Sequence, residues 1–171
     1  MSNLKIIQLL PELNIGGVER GTKDFSKVLI DQGHKSIVIS NGGIFEKDII
    51  NDGGKHIRLP VHKKNLSSLF LSKQLKLIYE DEMPDIVHVR SRMPAWINFL
   101  AFKKMPIKPI LVSTFHGLYS TPIYSKVMAK VDHTIAISNT VKNYIIDTYK
   151  VSESMITTIP RGCDPKTFNK E

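Results

Sequence analysis

The sequence has one cysteine, Cys163, in 171 residues, so an internal disulfide is impossible and a cysteine-stapled or cysteine-rich zinc domain is excluded. That usage fits a reducing compartment, and a cytoplasmic location is expected. No stretch approaches the roughly 18 uninterrupted apolar residues of a spanning helix. Met1-Ser2-Asn3-Leu4-Lys5 also lacks the basic-then-apolar pattern of a secretion leader. The expectation is a chain neither secreted nor transmembrane. Like charges never run to five or six, and the aromatics, 8% of residues, are not interleaved with the basic pairs. A base-stacking platform is therefore absent, and nucleic acid is not expected as a partner. No His/Cys/Glu cluster has metal-ligand spacing, so no metal is expected. The nucleophile elbow Gly-x-Ser-x-Gly, a Cys–His pairing, the three-glycine dinucleotide fingerprint and the Gly-Lys-Ser/Thr phosphate loop are all missing. Adjacent carboxylates at Glu80-Asp81-Glu82 read as the solvent-facing end of a helix, which leaves hydrolase chemistry without support.

What is present is an ordinary globular composition, 42% hydrophobic and 23% charged, of a length that suits one domain over residues 1–171. Lys and Arg outnumber Asp and Glu by 24 to 16, a net charge of +8. Two readings of the surplus are open: an anionic partner such as a nucleotide, a phosphosugar or an acidic membrane face, or a solvated basic surface.

Short apolar runs alternate with helical patterns along the chain. Leu4 to Leu10 ends at Pro11 and has the character of a strand buried on both faces. A loop with Gly16-Gly17 follows. A helix from Val18, with Phe25, Val28 and Leu29 as its apolar positions, then stops at Gly33. Further strands are expected at His34–Ser40, His56–Leu59, Asp85–Val89, Ile110–Phe115, His133–Ile137 and Met155–Ile159. Helices are expected at Phe45–Asn51, Leu66–Glu82, Ala95–Phe102 opened by Pro94, near Ile123–Lys130, and after a cap at Ser138 or Asn139. Strand and helix alternating in this way predicts an α/β fold, a doubly wound parallel sheet of about seven strands. In such sheets ligands bind beyond the carboxyl ends of the strands, so the loops after the first, fourth, fifth and seventh strands hold the candidates.

After the first strand, Gly16 and Gly17 let the backbone approach a ligand at a helix N-terminus, or simply form a tight turn. After the fourth, strand alternation through His88-Val89-Arg90-Ser91-Arg92 puts His88, Arg90 and Arg92 on one face. They form either a clamp for carboxylate or phosphate or a set of basic side chains snorkelling at the sheet edge. After the fifth, His116 precedes the flexible Gly117 and is either a hydrogen-bond donor to substrate or a structural histidine.

Four segments in this order and spacing resemble the N-terminal half of retaining glycosyltransferases of family 4. They are Pro11-Glu12-Leu13-Asn14-Ile15-Gly16-Gly17-Val18-Glu19-Arg20, Pro84-Asp85-Ile86-Val87-His88, Ser113-Thr114-Phe115-His116-Gly117, and Ile135-Ala136-Ile137-Ser138-Asn139 leading to Ile159-Pro160-Arg161-Gly162-Cys163-Asp164. The resemblance implies the GT-B architecture, two Rossmann-like domains facing a cleft, and transfer of a sugar from a nucleotide diphosphosugar with retention and without an essential metal or other cofactor. It further implies that Gly16 and Gly17 approach the donor diphosphate and that His116 contacts the transferring sugar. Arg90 and Arg92 stand where members differ with their acceptor, so the resemblance implies acceptor binding for both. Arg161 takes a place where many members carry asparagine, at the cleft or the hinge. A lipid-linked or envelope glycan acceptor, as in lipopolysaccharide biosynthesis, and a peripheral position at an anionic membrane face are implied likewise. In the family a donor-binding domain follows the Ile-Pro-x-Gly-x-Asp segment; here the sequence stops at Glu171. The expectation is an N-terminal, acceptor-side domain that is inactive alone. Alternatives are a GT-B epimerase or phosphorylase, and a non-catalytic nucleotide-binding α/β module.

Overall fold

The computed structural model describes residues 3–63 and 70–162. Each apolar run forms a strand: β1 Lys5–Leu9, β2 Lys35–Ser40, β3 Lys55–Arg58, β4 Ile86–Val89, β5 Ile110–Phe115, β6 His133–Ala136 and β7 Ile156–Thr158. They pair in parallel in the order β3-β2-β1-β4-β5-β6-β7. The helices between them are α1 Gly17–Asp31, α2 Glu46–Asn51, α3 Leu71–Glu82, α4 Arg92–Phe102, α5 Pro122–Ser125 and α6 Asn139–Tyr149. The expected Rossmann-like α/β sheet is therefore observed. Ser138 caps α6, its hydroxyl accepting from the Val141 amide at 3.2 Å.

Because side chains alternate across a strand, the sheet buries two layers. Ile7, Leu9, Ile37, Ile39, Val87 and Val89 pack with Leu75 and Tyr79 of α3 and Ile97 and Ala101 of α4. On the other face Leu10 and Val38 pack with Leu13 and with Ile49 of α2. Removing each such aliphatic side chain from water contributes roughly 1.5–3 kcal/mol.

Helix α1 departs from the expected apolar stripe. Phe25 and Val28 are 38% and 52% exposed, and the buried positions are Thr22, Ser26 and Leu29. The strand face beneath the helix is itself polar. The Ser26 and Ser36 hydroxyls bond at 2.8 Å, and Gln8 Nε2 donates to the Thr22 carbonyl at 3.1 Å. Small, mutually satisfied polar groups thus seat the helix where aliphatic packing was expected.

Two further differences have local causes. Glu82 does not face solvent: it is 8% exposed and pairs with Lys5 Nζ at 3.3 Å and with Lys55 Nζ, joining the end of α3 to the starts of β1 and β3. Helix α4 opens at Arg92, two residues before Pro94, with Ser91 in an extended conformation as its N-cap. The expected α3 stripe included Leu66 and Leu69, which lie outside the described residues, as do Cys163 and Asp164.

The loop from β1 to α1 is held by a glycine with no counterpart among the expected site residues. Gly43 has φ 148°, and a Cβ there would lie 2.5 Å from the Leu13 carbonyl carbon. That close approach lets the Leu13 amide donate to the Gly42 carbonyl at 2.9 Å, while the Phe45 amide donates to the Leu13 carbonyl at 3.1 Å. Strand order reverses between β1 and β4, and the crevice of a doubly wound sheet opens there, beyond the carboxyl ends.

Candidate functional site

The loops after β1, β4, β5 and β7 converge on one cleft of about 460 Å³ whose lining includes Gly17, Arg90, His116 and Arg161. Gly16 is the N-cap of α1, in extended conformation, immediately before Gly17. Four of the six candidates therefore share one cavity, with Gly16 beside it.

Arg90 follows the last residue of β4. Its Nη1 donates to Gln8 Oε1 at 2.9 Å, and its Nε is buried with no partner among the described residues. Burial, reinforced by the charge of Arg161 and opposed by Glu19, lowers its pKa to about 10. Gly21 lies beside it, and a Cβ there would be in ordinary contact with the Arg90 guanidinium at 3.5 Å. His88 forms the cleft floor: its Nε2 bonds Thr114 Oγ1 at 2.7 Å, and Phe25 meets its ring edge-on at 6.3 Å. Burial, then the charges of Arg90 and His116, hold His88 well below the usual histidine range, so it is neutral.

His116 follows the end of β5. Arg161 Nη2 donates to its Nδ1 at 3.0 Å, and its Nε2 is buried without a partner among the described residues. Burial, then the charges of Arg90 and Arg161, lower its pKa to about 3. Arg161 reaches this position across Gly17, where a side chain would collide with its guanidinium. Among the described residues, Arg20, Arg90 and Arg161 face a single lining carboxylate, Asp24, opposite an apolar wall of Ile135, Ile137 and Ile159. Positive charge, the two ring and guanidinium nitrogens without partners among the described residues, and an apolar wall fit a ligand with an anionic group and a less polar body.

Arg92 stands apart from this group. Because the strand ends at Val89 and α4 begins at Arg92, alternation does not carry over to it. Its guanidinium lies 4.9 Å from the Tyr119 ring centre and 5.5 Å from that of Tyr124, and its Nη1 donates to Thr121 Oγ1 at 2.9 Å. It lines a second cavity, about 540 Å³, with Glu12, His62, Ser91 and Thr121. A single clamp of His88, Arg90 and Arg92 does not form.

Phe25 and Gly21 join the cleft although neither was an expected site residue. Their signal was present, since Gly17, Gly21 and Phe25 recur at intervals of four and so share one face of α1. Gln8, whose amide ties α1 to Arg90, gives no such signal within an apolar run. No helix among the described residues is long and apolar enough to cross a membrane.

Comparison with known proteins gives concordant results. One subunit of the human phosphatidylinositol N-acetylglucosaminyltransferase is 26% identical over 92% of this chain, which spans 36% of that protein. A glycosyltransferase from Rickettsia africae ESF-5 is 36% identical over 99% of the chain, with a TM-score of 0.83 and 46% of its own length covered. Anabaena HepE, solved with UDP-glucose, shares the fold at 15% identity over 97% of this chain and 46% of its own, with a TM-score of 0.71. The chain thus spans less than half the length of each. The family model for Glycosyltransferase Family 4 matches residues 15–167, nearly the whole chain, which therefore belongs to that family.

Proposed function

We propose that the complete protein transfers a sugar from a nucleotide diphosphosugar to an acceptor hydroxyl with retention of configuration, and that this chain supplies the acceptor-side wall of the site. The observation that carries this reading is the convergence of Gly17, Arg90, His116 and Arg161 at the carboxyl ends of four strands, with Arg90 Nε and His116 Nε2 left without partners among the described residues. Transfer breaks the bond between the anomeric carbon and a phosphate oxygen, and the nucleoside diphosphate leaves carrying the charge. Fixed cations placed before the reaction stabilise that charge without reorganising. In this reading Arg90 does so, in place of the acceptor contact that the resemblance implies for it, with no metal or cofactor required, the Gly16–Gly17 backbone lies along the diphosphate, and His116 contacts the transferring sugar.

The separate cavity at Arg92 is assigned to the acceptor. The human relative acts, by its name, on phosphatidylinositol, which supports a lipid-linked or envelope glycan acceptor here. The net charge of +8 supports work at an anionic cytoplasmic membrane face. Positioning donor and acceptor together takes both walls of the cleft. We assign the second wall to a donor-binding domain in the same protein and expect residues 1–171 alone to turn over little.

The test is sugar transfer by the complete protein, assayed with a panel of radiolabelled nucleotide sugars, with and without a lipid extract as acceptor. Label moving into the extract supports the reading. Donor altered equally with and without acceptor supports an epimerase, and phosphate-dependent turnover supports a phosphorylase.

A further inference from the structure

We propose that Arg161 is a positioning residue that sets the tautomer of His116, making the imidazole a neutral N–H donor at Nε2 rather than a general base. A guanidinium has only donors, so in the 3.0 Å contact between Arg161 Nη2 and His116 Nδ1 the nitrogen of the ring accepts. The ring's one proton is then on Nε2. That atom is buried, has no partner among the described residues, and belongs to a side chain in the cleft wall.

Two further observations point the same way. A buried donor left unsatisfied costs roughly 1–3 kcal/mol, and such groups persist where a ligand supplies the missing acceptor. Gly17 is the residue that makes the arrangement possible, because any side chain there would occupy the space of the Arg161 guanidinium. An imidazolium at this position would also stand beside Arg90 and Arg161, and burial together with those charges keeps the ring neutral. The acceptor that fits Nε2–H is an oxygen of the ligand, a sugar hydroxyl or a phosphate oxygen. The tautomer is a property of this chain alone; the use of its N–H in sugar transfer rests on the transferase reading above.

Nitrogen-15 NMR of the histidine rings in the 171-residue chain tests the first part without substrate. In the wild type His116 is expected to show a protonated Nε2 and an unprotonated, hydrogen-bonded Nδ1. In Arg161→Ala the Nδ1 signal loses its hydrogen-bond displacement and the second tautomer becomes populated, while Arg161→Lys keeps part of the wild-type pattern. Gly17→Ala, which retains the arginine but displaces it, is expected to resemble Arg161→Ala with the far-ultraviolet circular dichroism unchanged. A protonated Nδ1 in the wild type, or identical His116 signals in wild type and Arg161→Ala, overturns the proposal. In the complete enzyme Arg161→Ala is expected to lower kcat by about tenfold, short of the roughly 10²- to 10³-fold cost of losing a donor outright, with KM for the donor nearly unchanged. A raised KM with kcat intact makes Arg161 a donor-binding residue and overturns the positioning role. Absence of transfer by the wild type, with the NMR pattern as expected, overturns the transferase reading and leaves the tautomer standing.

Discussion

Replacing Arg90 by methionine is expected to stabilise the chain while disabling the cleft. Burial, then the charge of Arg161, lowers the Arg90 pKa from the ordinary arginine range to about 10. At about 1.4 kcal/mol per pKa unit this corresponds to ~3 kcal/mol by which folding disfavours the charged side chain. Opposing it is the hydrogen bond to Gln8 Oε1 at 2.9 Å. Its loss leaves a buried acceptor at a cost of roughly 1–3 kcal/mol, because the Gln8 side chain is enclosed. Methionine fills much of the volume of the arginine stem and carries no charge into it. The balance is a gain of about 0.5–2 kcal/mol, read as a rise in Tm of about 1–8 °C for a chain of this size. Both pKa values lie far above neutrality, so the gain does not vary across the neutral range. Thermal unfolding of wild type and Arg90→Met followed by circular dichroism measures it, and an unchanged or lower Tm would refute the reasoning. Greater stability coupled to lost turnover in the complete protein is the behaviour of a charge retained for function.

Acidification is expected to destabilise the chain from about pH 6.5 downward. His116, at about 3 through burial and the charges of Arg90 and Arg161, refuses protons that the unfolded chain accepts below 6.5, and His88 does the same through burial. Stability therefore falls as pH drops through that window. Hydrogen bonds from Lys55 to Glu82 and from Arg58 to Glu46 hold both carboxyls below 4.5, adding a loss at lower pH. Urea midpoints measured over a pH series check this, and a midpoint that stays constant as pH falls below about 6.5 contradicts it. Glu82→Ala, which takes the shared carboxylate from Lys5 and Lys55 while Lys5 keeps the residue-82 carbonyl, is expected to cost roughly 1–3 kcal/mol, and an unshifted guanidinium chloride midpoint would count against the buried ion-pair assignment. Gly43→Ala combines φ 148° with a collision against the Leu13 backbone. It is expected to cost at least about 1–3 kcal/mol by thermal melt, and a Tm equal to wild type would show that the loop adapts.

The sheet was legible because each strand is a short apolar run with local punctuation, such as Pro11 after β1, Gly33 before β2, Pro60 after β3 and Pro84 before β4. The cleft was legible because topology alone selects the loops after β1, β4, β5 and β7, and the unusual residues Gly17, Arg90, His116 and Arg161 stand in them. What escaped sequence reading depends on pairings between distant positions. The buried side of α1 is polar because Ser26 meets Ser36 and Thr22 meets Gln8, matches that no helical period contains. Glu82 reads as solvated until Lys5 and Lys55 are brought to it by strands 77 and 27 residues away in sequence. Arg92 was grouped with Arg90 by continuing a strand period past Val89, where Ser91 had already turned the chain into α4.

Steady-state transfer by the complete protein carrying His116→Ala tests most directly whether the cleft formed by Gly17, Arg90, His116 and Arg161 holds the transferring sugar and its departing diphosphate. The expected result is a kcat lower by about 10²- to 10³-fold, the cost of losing one donor aimed at the reacting centre, with KM for the donor changed far less. Turnover equal to wild type, or a loss confined to donor KM, would contradict it.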